Sequence, residues 1–334
     1  MISTGARLRV RACADGSAVD VAAGIRLALG MLQDAGRIEL VGAYDPADIV
    51  HTVGFVDGAA RRAAHRVHTI HRIPLRSGRV TPEGCWLRNE RRHARDVSGW
   101  FAHGQTAGRM LVESGLARSA TVYGLPLLPP VWCMAIGASC LSAAARAAIR
   151  DQLAVAPGVR LVLGVDAPTD GRRSVGWGPV LMNSGRLDVA VAAIHPVDGD
   201  PEHRYRVRST TGLWSTQPYP LAELLSAADL FVATGHELEV HSAAVAAVVC
   251  GLPVIAVTTD SVAELVLSGA RGYVVAPHPT AVARAVTAQI DGGLPPRRTG
   301  APLRPEPNRI AGLARALLLA YRGVLRSAMV SGAA

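Results

Sequence analysis

The sequence predicts an α/β protein built from two doubly wound parallel sheets. Short β-branched runs, among them LRVRAC (8–13), IELVG (38–42), VRLVLGV (159–165) and VIAVT (254–258), alternate with segments of helical period such as PTAVARAVTAQI (279–290). The 334 residues exceed what one hydrophobic core spans, so two domains are expected. The Pro-rich run LPLLPPVW (125–132) separates two regions that each alternate in this way. Hydrophobic residues make up 49% of the chain and aromatics only 4%, which leaves small aliphatic side chains to let helices sit close on a parallel sheet.

In the front half, the strand LRVRAC leads through ADGSAVDV into a helix with Val21, Ile25, Ala28 and Leu29 on one face. IELVG and DIVHTVGFV (48–56) follow as strands, and DGAARRAAHR (57–66) reads as a basic helix capped by Asp57. VHTIHRI (67–73) is the next strand, NERRHARDVSGWFAHGQTAGRMLVESG (89–115) holds two helical stretches, and SATVYGL (119–125) closes the set. In the back half, helices are expected at 141–155, 220–229, 261–269 and 279–290, with strands at 159–165, 186–196, 230–234, 254–258 and 272–276. The segment 171–185 reads as a loop or helix start, and a polar, hairpin-like section precedes residue 220. RIAGLARALLLAYRGVLRS (309–327) is a strong amphipathic helix behind the basic, Pro-rich connection 295–308. The expected division is a shortened first domain, 1–125, a second, 126–308, and the helix 309–327 crossing back to the first, with a ligand cleft at the carboxyl ends of both sheets.

All 35 basic residues are arginine, and the formal net charge is +9. The excess leans to the front, with 17 arginines against 11 acids up to residue 125 and 18 against 15 beyond it. Stacking aromatics and nucleic-acid-binding signatures are absent, so the charge points to an anionic substrate or an anionic membrane surface rather than to nucleic acid. Five cysteines with no CxxC pair argue for reduced thiols and against a disulfide framework or zinc site. The start has no apolar h-region, and the uncharged stretches 119–145 and 240–259 are broken by Pro or Gly. A cytoplasmic location, peripheral to the inner face of the membrane at most, is expected.

Three segments carry a resemblance. PLAELLSAADLFVATGHELEV, AVVCGLPVIAVTTDSVAELV and GARGYVVAPHPTAVARAV together resemble, in order and without long gaps over residues 220 to 288, the donor domain of family-4-type glycosyltransferases. Those are retaining enzymes of the two-Rossmann GT-B fold. DIVHTV and VHTIHR resemble, more loosely, the strands of that family's first domain that end in histidines, while its glycine-rich first loop survives here as Asp15-Gly16-Ser17. The resemblance implies a nucleotide-sugar donor as co-substrate, no metal or other cofactor, and front-face attack assisted by the departing phosphate.

The leaving diphosphate of such a donor needs fixed positive charge, and its sugar needs a carboxylate for the hydroxyls. Arg172 and Arg173, after VRLVLGV, match the family's cationic loop, where one cation of two is absent or moved; arginine grips phosphate bidentately. Glu237 and Glu239 flank the slot of the sugar glutamate, but the ribose glutamate, counted from Cys250-Gly251, falls on Ala246, which this register turns towards the cleft. His71 matches a histidine that faces the reacting centre, His51 has a weaker claim, and Glu264 matches a position at a helix start where a carboxylate also suits the dipole. Two functions stay open: a glycosyltransferase moving a hexose to an unknown, anionic or lipid-linked acceptor, or a catalytically inactive GT-B-like scaffold that binds a partner. Sugar-nucleotide epimerases of similar fold are a third possibility.

Overall fold

The computed structural model describes residues 7–14, 19–53, 63–69, 94, 96–126, 142–165, 177–196, 204–209, 215, 217–234, 238–258, 262–267, 271–293 and 307–331. In chain order the elements are β1 (Leu8–Ala14), α1 (Val19–Asp34), β2 (Ile38–Leu40), β3 (Ala47–Val53), β4 (Ala63–Thr69), β5 (Gly99–His103), α2 (Gln105–Glu113) and β6 (Val122–Leu125). They continue with α3 (Ala143–Gln152), β7 (Arg160–Val165), α4 (Trp177–Met182), β8 (Val189–Pro196), β9 (Arg204–Ser209), β10 (Tyr219–Pro220), α5 (Leu221–Ala227) and β11 (Leu230–Ala233). The last are α6 (Leu238–Val249), β12 (Val254–Val257), α7 (Val262–Leu267), β13 (Gly272–Val275), α8 (Pro279–Asp291) and α9 (Pro307–Ser331). The chain divides into two compact units, Met1–Leu128 with Glu306–Ala334, and Pro129–Pro305.

The sheet of the first unit has the order β2-β1-β3-β4-β5-β6, and all its pairings are parallel. Side chains along β5 alternate between its two faces. Trp100 and Ala102 join Ala107 and Leu111 of α2 in one core, while Phe101 meets Tyr321 of α9 with ring centroids 5.7 Å apart. The helix α9 lies close on β5 and β6: a Cβ on Gly99 would come 2.6 Å from Val324 Cγ2, and one on Gly323 would come 2.8 Å from Tyr123 Cε1. Beside it on the sheet packs α1. Leu313, Leu317, Tyr321 and Val324 of α9 are fully buried or nearly so, as the amphipathic period of this segment requires.

Two sequence expectations are corrected here. Residues 63–66 do not continue a basic helix; they open β4, in register with β3 from Ala47↔Ala63 to Val53↔Thr69. Ala and Arg favour helix locally, but the ladder that β4 makes along β3, joined by β5 over Val67–Thr69, outweighs that preference. The segment 89–115 likewise contains a strand, Gly99–His103, buried at every position, before its helix. An all-buried strand has no polar alternation to give it away.

The second sheet runs β10-β9-β8-β7-β11-β12-β13, parallel from β8 to β13 and antiparallel at β9 and β10. Its two faces carry separate cores. Leu161, Leu163, Val165, Phe231, Val254 and Ala256 pack against α3, α5, α6 and α7, whereas Val162, Leu230, Val232, Ile255 and Val257 pack against α4 and α8. Asp229, at the turn from α5 into β11, accepts from Leu161 N–H at 2.8 Å, Arg146 Nη2 at 2.7 Å and Arg150 Nη1 at 3.1 Å. The carboxylate thus ties α3 to the starts of β7 and β11. Gly272 opens β13 at φ 140°, where a Cβ would fall 1.7 Å from Val254 O, so no side chain fits.

Candidate functional site

Both sheets contain a topological switch, the point where an open α/β sheet binds ligands beyond its strand ends. In the second unit it lies between β7 and β11, where successive connections run to opposite sides of β7. These strands are parallel neighbours paired through Leu163↔Phe231 and Val232↔Gly164, so their carboxyl ends, Val165 and Ala233, stand together. The chain that leaves Val165 carries Arg172 and Arg173, and the chain that leaves Ala233 carries Glu237 and Glu239. Arg172, Arg173 and Glu237 lie outside the described residues. Glu239 is the second residue of α6, and its side chain lies outside them too. Glu264, half-buried, stands in the first turn of the six-residue α7.

Ala246 corrects the register argument. It is fully buried in the core with Ala243, Ala244 and Ala247 of α6, together with Phe231 and Val254 of the sheet. A helix of small residues sunk into a core has no open side at this position, so Ala246 does not face a ligand cleft.

In the first unit the switch lies between β1 and β3, whose carboxyl ends are Ala14 and Val53. Gly16 follows β1, and His71 follows Thr69 at the end of β4; both lie outside the described residues. His51 is inside them and fully buried. Its Nδ1 is 2.6 Å from Tyr321 Oη and its Nε2 is 2.6 Å from Thr69 Oγ1. Burial, reinforced by repulsion from His68 and His103, lowers the His51 pKa to about 3. A neutral ring held between two hydroxyls is a fastening, so His51 is a structural histidine.

Sequence reading passed over two histidines near the strand ends. His68 Nδ1 lies 2.9 Å from Thr52 Oγ1 across β3 and β4. His103 ends β5, is 5% exposed, and donates from Nδ1 to Pro126 O at 2.9 Å. The signal for His103 was the pair His103-Gly104, with Gly104 at φ 85° turning strand into α2, and it was legible only once β5 was recognised. Among the described residues, no group of three or more His, Cys, Asp and Glu is placed to hold a metal ion.

Comparison with known proteins bears on the whole arrangement. Residues 199–291 match the family model of glycosyl transferases group 1. A sucrose-phosphate synthase from Thermosynechococcus elongatus is similar at 13% identity and a TM-score of 0.58, over 97% of this chain and 98% of that one. The Anabaena protein HepE, solved in complex with UDP-glucose, is similar at 15% identity and a TM-score of 0.54, over 97% of this chain and all of that one. A glycosyltransferase from Rickettsia africae gives 10% identity and a TM-score of 0.53, covering 97% of each chain. No curated protein matches the sequence. These likenesses show the fold: two Rossmann-like α/β sheets of the GT-B type.

Proposed function

We propose that the chain is a glycosyltransferase that moves a hexose from a nucleotide sugar to an acceptor hydroxyl with retention of configuration. The observation that carries this reading is the switch between β7 and β11. The chain segments bearing the two arginines and the two glutamates leave adjacent strand ends, where sheets of this kind bind ligands. The match to glycosyl transferases group 1 spans β9 to α8 and so takes in both glutamates. The UDP-glucose complex of the similar Anabaena protein supports a nucleotide sugar as the donor.

In this reading Arg172 and Arg173 hold the diphosphate, Glu237 and Glu239 take the sugar hydroxyls, and Glu264 serves the nucleotide side. On the first unit, His71 is assigned to the acceptor and Gly16 to close approach of backbone to ligand. The acceptor oxygen bonds to the anomeric carbon on the face from which the phosphate leaves. The carbon–oxygen bond to phosphate breaks with its electron pair, and the acceptor proton passes to the departing phosphate oxygen. Arginine charge on that oxygen favours the charge-separated transition state over the ground state. No metal is part of the proposal.

A second reading, a binding scaffold without transfer, draws support from buried Ala246, which leaves no carboxylate for the ribose at that position. Calorimetric titration with UDP-, GDP- and ADP-sugars separates the two. Binding of one class, weakened about tenfold or more in R172A/R173A, is the expected result. Indifference to all three overturns the transferase reading.

A further inference from the structure

We propose that the solvent face of α9 is a docking surface for an anionic membrane. Along this helix Arg315, Leu319, Arg322, Arg326, Met329 and Val330 are exposed, and the large apolar members strongly so: Leu319 at 60%, Met329 at 58% and Val330 at 75%. At 3.6 residues per turn the six fall within an arc of about 100°. That arc lies opposite the buried stripe of Leu313, Leu317, Tyr321 and Val324. The helix contains no acidic residue over its 25 positions.

The neighbouring helix extends the pattern. α1 packs beside α9 and exposes Leu27 at 47% and Met31 at 43%, together with Arg26. Asp34, near the end of α1, is the acid on its described exposed side.

Scattered apolar residues on a surface need no explanation, but here they share one stripe with arginines three and four positions away. That arrangement suits an interface of lipid headgroups and acyl chains. The arginine stems lie along the apolar boundary with their guanidinium groups on phosphates, while Leu319, Met329 and Val330 enter the hydrocarbon edge.

Other occupants fit less well. A second copy of this face would bring its arginines against those of the first. Nucleic acid would gain nothing from the exposed Leu, Met and Val, and the stripe has no aromatic ring for bases to stack on. Spanning is a different matter, because no described helix is long and apolar enough to cross a membrane. The proposal stands independently of the transferase reading.

The test is co-sedimentation of the full chain with phosphatidylcholine vesicles, with and without phosphatidylglycerol, at low and high salt. The parent should sediment with the anionic vesicles and remain free with the neutral ones. R315Q/R322Q/R326Q should bind the anionic vesicles on the order of a hundredfold more weakly. L319S/M329S/V330S should bind only at low salt, where charge alone suffices. Both variants change exposed side chains, so each should keep the parent's melting temperature and nucleotide-sugar titration. Equal vesicle binding by parent and both variants would overturn the proposal, since the wider basic surface would then be responsible. A parent that ignores vesicles but binds single-stranded RNA through the same arginines, or one that dimerises until Leu319 is changed to Ser, overturns it as well.

Discussion

His51 Nδ1 and Tyr321 Oη lie 2.6 Å apart although 270 residues separate them in sequence. Both side chains are fully buried, and His51 Nε2 is satisfied in turn by Thr69 Oγ1 at 2.6 Å. One ring nitrogen donates and the other accepts, and each hydroxyl takes the complementary role. A chain of three polar groups thus runs from β4 through β3 into α9, and it fixes the rotation of that helix about its own axis. Apolar packing around Phe101 supplies most of the burial energy, while the hydrogen bonds supply the register.

Tyr321→Phe keeps the ring against Phe101 and removes only the hydroxyl. It leaves one His51 nitrogen buried without its partner, at a cost of about 1–3 kcal/mol. A lower midpoint in urea with an unchanged m-value is the expected outcome. An unchanged midpoint would mean that the hydrogen bond contributes nothing net.

The same histidine sets an acid dependence. Its pKa is near 3 in the fold and 6.5 in the unfolded chain, so between those values the unfolded state takes up a proton that the fold refuses. Stability is therefore complete above pH 6.5 and is lost as pH falls, by up to about 1.4 kcal/mol per pH unit. His51→Gln should be less stable than the parent at pH 7, and the gap should narrow by about 2 kcal/mol on going to pH 5. A gap of constant size in urea titrations at the two pH values would refute this. Tyr321 acts at the other end: burial pushes its pKa up, so stability also falls as pH rises past the ordinary tyrosine value.

Much of the fold was legible because burial writes period into sequence. LFVAT, VIAVT and GYVVA each became a strand within one residue of expectation, and the amphipathic run from 309 lies inside α9. The motifs that carried the resemblance have structural reasons of their own. Gly251 in Cys-Gly-Leu-Pro stands at φ 76° just after α6, and Gly272 admits no Cβ. Two things were not legible. The first four residues of β4 and all of β5 are strands by pairing rather than by composition, so Ala63-Ala64 and Gly99-Trp100 signalled nothing locally, whereas Val67–Thr69 were read as strand. The partnership of His51 with Tyr321 depends on how a terminal helix returns to a sheet, which no local window contains. At the candidate site, the residue types and the strand ends they follow were readable, whereas the facing of Ala246 was not. Small residues look alike whether they line a cleft or fill a core.

Asp229 offers a stability test within the second unit. Burial alone would raise its pKa, but the Leu161 N–H and the guanidinium of Arg146, with help from Arg150, hold it below the usual aspartate value. Its contribution is accordingly present above pH 3.8 and is lost as pH falls below that value. Asp229→Ala strips a partner from Leu161 N–H and leaves two partly buried arginines facing each other, at a cost of about 3 kcal/mol. Thermal unfolding of the variant should shift down accordingly. A variant that melts with the parent would show that water replaces the carboxylate without loss.

The sharpest test concerns Ala246. In a functioning donor site of the resembled type this position would carry a carboxylate for the ribose hydroxyls, and Ala246→Glu would then tighten nucleotide binding. The observed surroundings argue otherwise. Ala246 is fully buried, its helical neighbours Ala243, Ala244 and Ala247 are fully buried as well, and Phe231 and Val254 fill the sheet side of the same core. A glutamate there loses its water without gaining a cation, and its three extra heavy-atom shells must displace close-packed neighbours. Overpacking and desolvation together should cost a few kcal/mol, enough to lower the melting temperature by about 5–10 °C. Calorimetric titration of the same variant with UDP-sugar should show no gain over the parent. Tighter binding at an unchanged melting temperature would mean that α6 presents Ala246 to ligand after all, and that a single substitution had rebuilt a ribose contact.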